Sequence, residues 1–374
     1  MREIMTMQTK GRFDPNSPAI KAYEQELAHQ FVREGTMVAF PMCLPGMTRR
    51  ITHDECHITA LDIDSDGQIY GGTSGRQAHL FSAAFHDLTG VVLDAGVVAD
   101  GTSTVAVCCG KSRSLAFVNG ARGGRVIEIP KIDLAQDWIQ EWGLNPPVLQ
   151  DLGECVSGEP VVHAICDASR STVIGITSRH LFTMDAESGK VTVIGEVPGR
   201  GFLAMSSSGV FGQDDQARMW HFDLASGKIR RGAVDLPKGD WSGPVRWARS
   251  DEENQLLTAD ASGQIFSFDG NKDFRLLGRA HLAPVGPMAM TSDGRLFGFC
   301  GAEMANLFCC ETSSGSVTNL GVAASVFERR RYGYQFGDAL IGRDGEVVFG
   351  EDDNDGHLWV YFPRVRHIPR KLAE

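Results

Sequence analysis

Residues 57–81, HITALDIDSDGQIYGGTSGRQAHLF, decide the fold of this chain. HITALDID has the apolar pattern of a β-strand, and Asp66-Gly67 predicts a tight turn because glycine adopts a positive φ without steric cost. QIYGGT predicts a second strand, and AHLFSAAF, after a short loop, predicts a third. VVLDAG, which follows Thr89-Gly90, predicts a fourth. The stretch and its continuation therefore predict one four-stranded antiparallel unit.

The same unit recurs along the chain. Its third strands lie at 78–83, 179–185, 218–223, 264–269, 306–311 and 357–362. The glycines of the turns that follow four of them are separated by 38, 43 and 45 residues. One blade of a β-propeller takes about 40–45 residues. The sequence therefore predicts an all-β fold, a seven-bladed β-propeller, with six or eight blades as alternatives.

The two ends of the chain predict how the ring is organised. Ser17 and Pro18 are suited to begin a helix, and an apolar stripe at helical spacing extends this helix over 17–35. GTMVAFPM at 35–42 predicts a strand that completes the last blade and closes the ring, which removes exposed sheet edges. We expect an N-terminal arm and helix at 1–35, one propeller domain at 36–365 and a tail at 366–374.

The net charge and the cysteines indicate which partners and which cellular compartment suit this protein. The formal net charge of −11 disfavours nucleic acid and acidic membrane surfaces as partners. No apolar run is long enough for a membrane helix, and the N-terminus lacks the apolar region of a secretory signal. The nine cysteines have no paired spacing, which predicts reduced, buried thiols. We therefore expect a cytoplasmic protein.

Propeller geometry predicts which residues gather at one mouth of the central channel. Each first strand begins at the face where the second strand ends and the third begins, so His57, Arg76 and His79 should share that face. The same rule adds Arg179, His180, Asp214, Asp215, Arg246, Trp247, Asn306, Tyr332, Tyr334, Gln335 and the segment 351–357, which includes His357. Such groups can hold a sugar and move protons. His79, His180 and His357 recur at one position of the repeat, and this recurrence favours a structural role for them.

GEDDNDGH at 350–357 has a weak likeness to an oxygen-rich calcium loop. Glu351, Asp353 and Asp355 alternate before Gly356, but no bidentate glutamate follows at the twelfth loop position. A solvated acidic loop is the alternative, so no cofactor is predicted beyond a possible structural metal ion.

HITALDIDSDGQIYGGTSGRQAHLF together with GDALIGRDGEVVFGEDDNDGHLWVY (337–361) resembles the seven-bladed propeller polysaccharide lyases of the ulvan lyase type. It also resembles their relatives that act on terminal L-rhamnose linked to glucuronate. The resemblance implies histidine and tyrosine as acid and base, with arginine on the uronate carboxylate. His57 and His79 match the strand-opening pair best, and Tyr332 and Tyr334 are the tyrosines near the expected mouth. Substrate-binding candidates are Arg76, Arg179, His180, Arg246, Trp247, Asn306, Gln335 and His357.

Two functions remain open from the sequence. The first is an enzyme that cleaves a uronate- or rhamnose-containing oligosaccharide or polysaccharide, by β-elimination or by hydrolysis. The second is a non-catalytic propeller that binds a sugar or a protein, because propellers host many functions.

Overall fold

The computed structural model describes most of the chain between residues 34 and 365. The described residues are 17, 18, 21, 22, 32, 34–41, 51–86, 89–131, 147–167, 169, 171–214, 217–250, 255–326, 332–353 and 355–365. Among these residues, no helix is long and apolar enough to cross a membrane.

The described residues form 29 β-strands in six hydrogen-bonded sheets. The largest sheet has eight strands: β2 (His57–Ile63), β3 (Ile69–Ser74), β4 (His79–His86), β5 (Thr89–Val97), β6 (Gly101–Cys109), β7 (Ser114–Gly120), β8 (Gly123–Ile129) and β9 (Gln150–Glu154). Two four-stranded sheets follow: β10 (Val161–Asp167), β11 (Thr172–Thr177), β12 (His180–Asp185) and β13 (Val191–Glu196), then β14 (Ala204–Ser206), β15 (Gly209–Gln213), β16 (Arg218–Asp223) and β17 (Lys228–Asp235).

The remaining strands form three sheets. A four-stranded sheet contains β18 (Arg246–Trp247), β20 (Leu256–Ala259), β21 (Gln264–Phe268) and β22 (Phe274–Arg279). A five-stranded sheet contains β19 (Arg249–Ser250), β23 (Val285–Met290), β24 (Arg295–Cys300), β25 (Asn306–Glu311) and β26 (Val317–Val322). The last sheet contains β27 (Phe336–Ile341), β28 (Val347–Glu351), β29 (His357–Phe362) and β1 (Thr36–Pro41).

These sheets are arranged as a β-propeller. Neighbouring strands are antiparallel except for the short β19, which pairs parallel with β23. The first strands of successive units pack side by side, as β27 does against β2 and β2 against β6. The first strands therefore surround the centre, and the fourth strands form the outside. The propeller and its all-β character confirm the predicted fold class at that level.

The prediction of seven separate blades is wrong. In the part of the chain that the structure describes, five sheets are separate blades, and β2–β9 form a single eight-stranded sheet. Ser74 at the end of β3 pairs with Ser103 of β6, which joins strands that the repeat pattern assigns to two units. The spacing of the turns predicts the number of hairpins, but it does not show whether strands of neighbouring units are hydrogen-bonded to each other.

The predicted strand at the N-terminus closes the ring. β1 pairs antiparallel with β29 along its whole length, from Thr36 opposite Phe362 to Pro41 opposite His357. The Tyr361 hydroxyl donates to the Glu34 carbonyl oxygen (2.7 Å), which fixes the chain just before β1. The prediction that 36–42 pairs with the last blade is thus confirmed for 36–41.

The predicted N-terminal helix falls mostly on residues that the structure does not describe, and residues 18, 21 and 22 are helical. Most of 17–35 lies outside the described residues, as do the arm before it and the tail at 366–374. A single helical hydrogen bond joins Lys21 N to the Ser17 carbonyl oxygen (3.0 Å), and residues 34 and 35 form a bend before β1.

One packing rule recurs inside the blades. A glycine on the second strand lies opposite a buried aromatic ring on the third strand. The pairs are Gly71 with Phe81, Gly175 with Phe182, Gly212 with Trp220 and Gly298 with Phe308. An added Cβ would lie less than 3.0 Å from the ring in the first three pairs and 3.0 Å from it in the fourth. The aromatic ring thus occupies the volume of the missing side chain, and this pairing fills each blade.

Candidate functional site

The central channel opens into a cavity at each face. The larger cavity, about 650 Å³, lies where first strands end, near Ile63 and Asp167. The smaller cavity, about 350 Å³, lies where first strands begin, near Pro284 and Gln335. Arg246 and Pro287 line both cavities, so they lie between the two mouths.

A half-buried charge cluster lines the larger cavity. Arg249 donates through Nη2 to the Leu61 carbonyl oxygen (2.9 Å). Its guanidinium lies 3.9 Å from Asp62 and 4.0 Å from Asp338. Burial raises the pKa of both carboxyls, although Arg249 acts in the opposite direction. Two carboxyls from opposite ends of the chain thus flank one arginine at the channel centre.

Backbone amides hold these carboxyls in place. Asp62 Oδ2 accepts from Cys109 N (2.7 Å). Asp338 accepts from Leu61 N through Oδ2 (2.8 Å) and from Ala339 N through Oδ1 (2.9 Å). The first strands thereby fix the position of the cluster.

Arg246 and His163 extend the polar surface along the channel. Arg246 donates to the Gly337 carbonyl oxygen (3.0 Å) and lies over the Phe202 ring, 4.8 Å from its centroid. His163 Nδ1 accepts from Leu203 N (3.2 Å). Burial lowers the pKa of His163 to about 3, with Arg249 and Arg246 adding to the effect. The imidazole is therefore neutral, and its proton is on Nε2.

His57 lies beside the smaller cavity, through its contact with Asp352. Its Nδ1 is 3.1 Å from Asp352 Oδ1, and Asp352 lines that cavity together with Arg246 and Gln335. The hydrogen bond to Asp352 raises the pKa of His57 despite partial burial. The structure thus brings three of the predicted residues, His57, Arg246 and Gln335, to one mouth.

The origin of this pKa shift can be tested directly. We expect Asp352→Asn to lower the pKa of His57 towards 6.5, because the raised value depends on the carboxylate. An NMR titration of the His57 ring protons measures it, with the exposed turn variant Asp344→Asn as the control. An unchanged His57 titration in Asp352→Asn would contradict the pairing.

His79 shares the face of His57, but two carboxylates hold it at the sheet end. His79 Nε2 is 3.2 Å from Glu55 Oε2, and Nδ1 is 3.0 Å from Asp94 Oδ2. Arg76 also binds Glu55 (2.6 Å). His79 is buried and lies outside the residues that line the two cavities. The predicted pair of His57 and His79 therefore shares a face without sharing one of these cavities.

The other two recurrent histidines have the same kind of partner. His180 Nδ1 lies 3.0 Å from both carboxylate oxygens of Glu159, which Arg179 also binds (2.6 Å). His357 Nδ1 lies 2.9 Å from Glu351 Oε2, and both side chains are buried. The repeated carboxylate–histidine pair connects strand ends within the blades and fits the structural role that the sequence left open.

The remaining predicted residues are dispersed. Tyr334 packs with Met304 and Val322, and Tyr332 contacts the same apolar cluster. Trp247 lines the larger cavity, at the opposite face from His57. Asn306 is buried, with Nδ2 3.3 Å from His281 Nε2. The predicted tyrosines are thus not among the residues that line the smaller cavity with Arg246 and Gln335.

The predicted acidic loop is held by protein contacts. Asp353 Oδ1 accepts from Asp355 N (2.8 Å), and Asp355 pairs with His53 (3.0 Å), while Glu351 pairs with His357. Within the described residues, no group of three or more His, Cys, Asp or Glu side chains is arranged to hold a metal ion. Asp214 accepts from Gly232 N (2.7 Å), and Asp215 lies outside the described residues.

The thiol prediction holds where it can be examined. The eight cysteines in the described part of the chain are free, and all except half-buried Cys166 are buried. Burial raises the pKa of Cys108 and Cys109 well above the ordinary value. These thiols are therefore protonated and poorly reactive at neutral pH. Cys43 lies outside the described residues.

Sequence reasoning missed the residues at the channel centre, Asp62, His163, Arg249 and Asp338. A signal was present, since Asp62 and Asp338 are charged residues inside largely apolar first strands. First strands surround the channel, so a charge there faces either the channel or a neighbouring sheet. The sequence argument considered strand ends alone.

The arrangement of the sheets and the two channel-mouth cavities define a β-propeller. A solved structure that it resembles, the WD40 β-propeller domain of Doa1, is 10% identical in sequence with a TM-score of 0.59. The match covers 88% of this chain and 97% of that chain. In all, 1306 chains of solved structures match. At this identity the likeness shows the fold alone.

Sequence comparisons give no closer assignment. No protein-family profile matches the chain. No curated protein matches it either. The expected membership of the seven-bladed propeller polysaccharide lyases is wrong. The solved structure that it resembles is a WD40 domain, and the described strands form five separate blades and one eight-stranded sheet.

Proposed function

We propose that this protein is a non-catalytic binding propeller whose ligand occupies the central channel. The observation that carries the proposal is the larger cavity, about 650 Å³, walled by inner strands from several sheets. Pockets for small molecules usually measure about 300–1,000 Å³ and combine apolar walls with a few polar groups. This cavity has that composition, with Phe202 and Met288 beside Arg249 and His163.

The positions of the expected catalytic groups favour binding over turnover. His79, His180 and His357 are tied to carboxylates at strand ends and lie outside the residues that line the two cavities. A general acid or base has to reach the proton that it transfers. The two tyrosines pack in an apolar cluster and are not among the residues that line either cavity. The proposal therefore assigns these histidines to the scaffold.

The proposal is tested by blocking the larger cavity. Ser207 lies exposed at the rim of this cavity, so Ser207→Trp should fill its mouth. The control is Ser314→Trp, which places the same bulk on an exposed turn elsewhere. Calorimetry with a panel of oligosaccharides, small carboxylates and amines should find a ligand for the parent chain. We expect Ser207→Trp to weaken that ligand at least about tenfold and Ser314→Trp to leave it unchanged.

Two outcomes would overturn the proposal. The first is a panel ligand whose affinity is insensitive to Ser207→Trp, which would place the site elsewhere. The second is turnover, detected as an unsaturated uronate absorbing at 235 nm or as released sugar, which would make the protein an enzyme. The panel includes oligosaccharides because a sugar partner stays a prediction. The cytoplasmic setting also stays a prediction.

A further inference from the structure

The protein fixes the guanidinium of Arg249 but accepts few hydrogen bonds from it. In the part of the chain that the structure describes, its one hydrogen bond is the bond from Nη2 to the Leu61 carbonyl oxygen. Separations of 3.9 and 4.0 Å from Asp62 and Asp338 are too long for hydrogen bonds. An arginine has five N–H donors, so most of them are free for a ligand. The side chain is 34% exposed, and Arg249 lines the larger cavity.

The flanking carboxyls fix Arg249 without occupying its donors. The carboxyl oxygens of Asp62 and Asp338 accept hydrogen bonds from the amides of Cys109, Leu61 and Ala339. Burial alone would lower the pKa of Arg249, but the two carboxyls raise it overall. The guanidinium therefore stays charged at the end of the cavity, in a fixed orientation.

The rest of the cavity has two kinds of wall. His163 presents an Nε2–H donor, because its Nδ1 accepts from Leu203 N. Arg246 adds a second positive charge over the Phe202 ring. Asp167 and Asp223 also line the cavity, and they already accept hydrogen bonds from Ser169 Oγ and from the amides of Ala225 and Ser226. Phe202, Trp247 and Met288 supply apolar surface. The cavity thus offers cationic and neutral donors at one end and aromatic and aliphatic walls around it.

We propose that the larger cavity binds a small organic carboxylate with an apolar ring, its carboxylate on Arg249 and its ring against Phe202, Trp247 and Met288. The planar fork of arginine matches the two oxygens of a carboxylate, and such charge-assisted pairs are strong and directional. A ligand without a carboxylate would leave these donors unpaired, which is the basis of the expected selectivity. The inference rests on the proposed function and names the ligand class of the same cavity.

The test compares two probes that differ in one group. We would titrate the protein with 4-fluorobenzoate and with the neutral 4-fluorobenzyl alcohol, and follow binding by ¹⁹F NMR. The carboxylate should bind more tightly than the alcohol. Arg249→Lys keeps the charge but loses the fork, and it should weaken 4-fluorobenzoate roughly 10- to 100-fold while leaving the alcohol unchanged. Arg279→Lys is the control, because Arg279 is an exposed arginine on an outer strand.

Arg249→Met removes the charge at similar length, and circular dichroism establishes whether this variant folds. If neither Arg249 variant folds, the comparison of the two probes on the parent chain still decides. Equal affinity for carboxylate and alcohol, or an Arg249→Lys variant that binds 4-fluorobenzoate like the parent, would overturn the carboxylate assignment. If Ser207→Trp still blocks a panel ligand in that case, the proposed function survives and only the ligand class is wrong.

Discussion

Gly175→Ala should lower the free energy of unfolding by about 3 kcal/mol. Gly175 on β11 lies opposite Phe182 on β12, and an added Cβ would overlap the Phe182 ring. Phe182 is fully buried and packs against side chains of neighbouring sheets, so its ring cannot move away from an added methyl group without disturbing them. Chemical denaturation followed by tryptophan fluorescence measures the loss.

The control is Gly243→Ala, because an added Cβ at Gly243 would meet nothing within 4 Å. We expect that variant to change stability by less than about 0.5 kcal/mol. A double-mutant cycle sharpens the test. Phe182→Leu should be costly alone but should recover part of the stability lost in Gly175→Ala, since the smaller side chain makes room. Additive effects of the two substitutions would contradict direct contact between them.

The glycine–aromatic pairs also show why so much of the fold was accessible from the sequence. Both members of each pair are encoded locally, in QIYGGT with AHLF and in IGIT with RHLF, and hairpin register brings them together. Strand spacing and turn residues therefore predicted the blades of the C-terminal half and the closing strand at 36–41. The pairing of Ser74 with Ser103 was not accessible, since it depends on how two neighbouring units approach each other.

The candidate site was less accessible for a related reason. Strand direction predicted one mouth for His57, Arg246 and Gln335; Arg246 and Gln335 line the smaller cavity, and His57 bonds to Asp352, which lines it too. It could not show that Glu55, Glu159 and Glu351 would bind the recurrent histidines, because those contacts depend on side-chain direction at the strand ends. The Arg249 cluster joins β2, β19 and β27, which are far apart in sequence, so no local pattern contains it.

Glu159→Gln should destabilise the protein by about 2–3 kcal/mol at pH 7, because hydrogen bonds to a buried carboxylate are worth more than neutral ones. Glu159 is 5% exposed and accepts from Thr177, Arg179 and His180. Burial alone would raise the pKa of Glu159, but these hydrogen bonds lower it to about 2. The glutamine keeps the shape of the side chain and removes its charge.

The loss should depend on pH with a defined sign. A carboxyl whose folded pKa is depressed stabilises the protein above its unfolded value of 4.5, and this contribution is lost as the pH falls towards about 2. The stability difference between parent and Glu159→Gln should therefore be constant from pH 7 to 5 and shrink below pH 4.5. Urea denaturation across this range measures it, with the exposed Glu196→Gln as the matched control. A difference that persists undiminished at pH 3 would show that Glu159 contributes through packing, and the carboxylate–histidine pairs would lose their role as charged connections between strand ends.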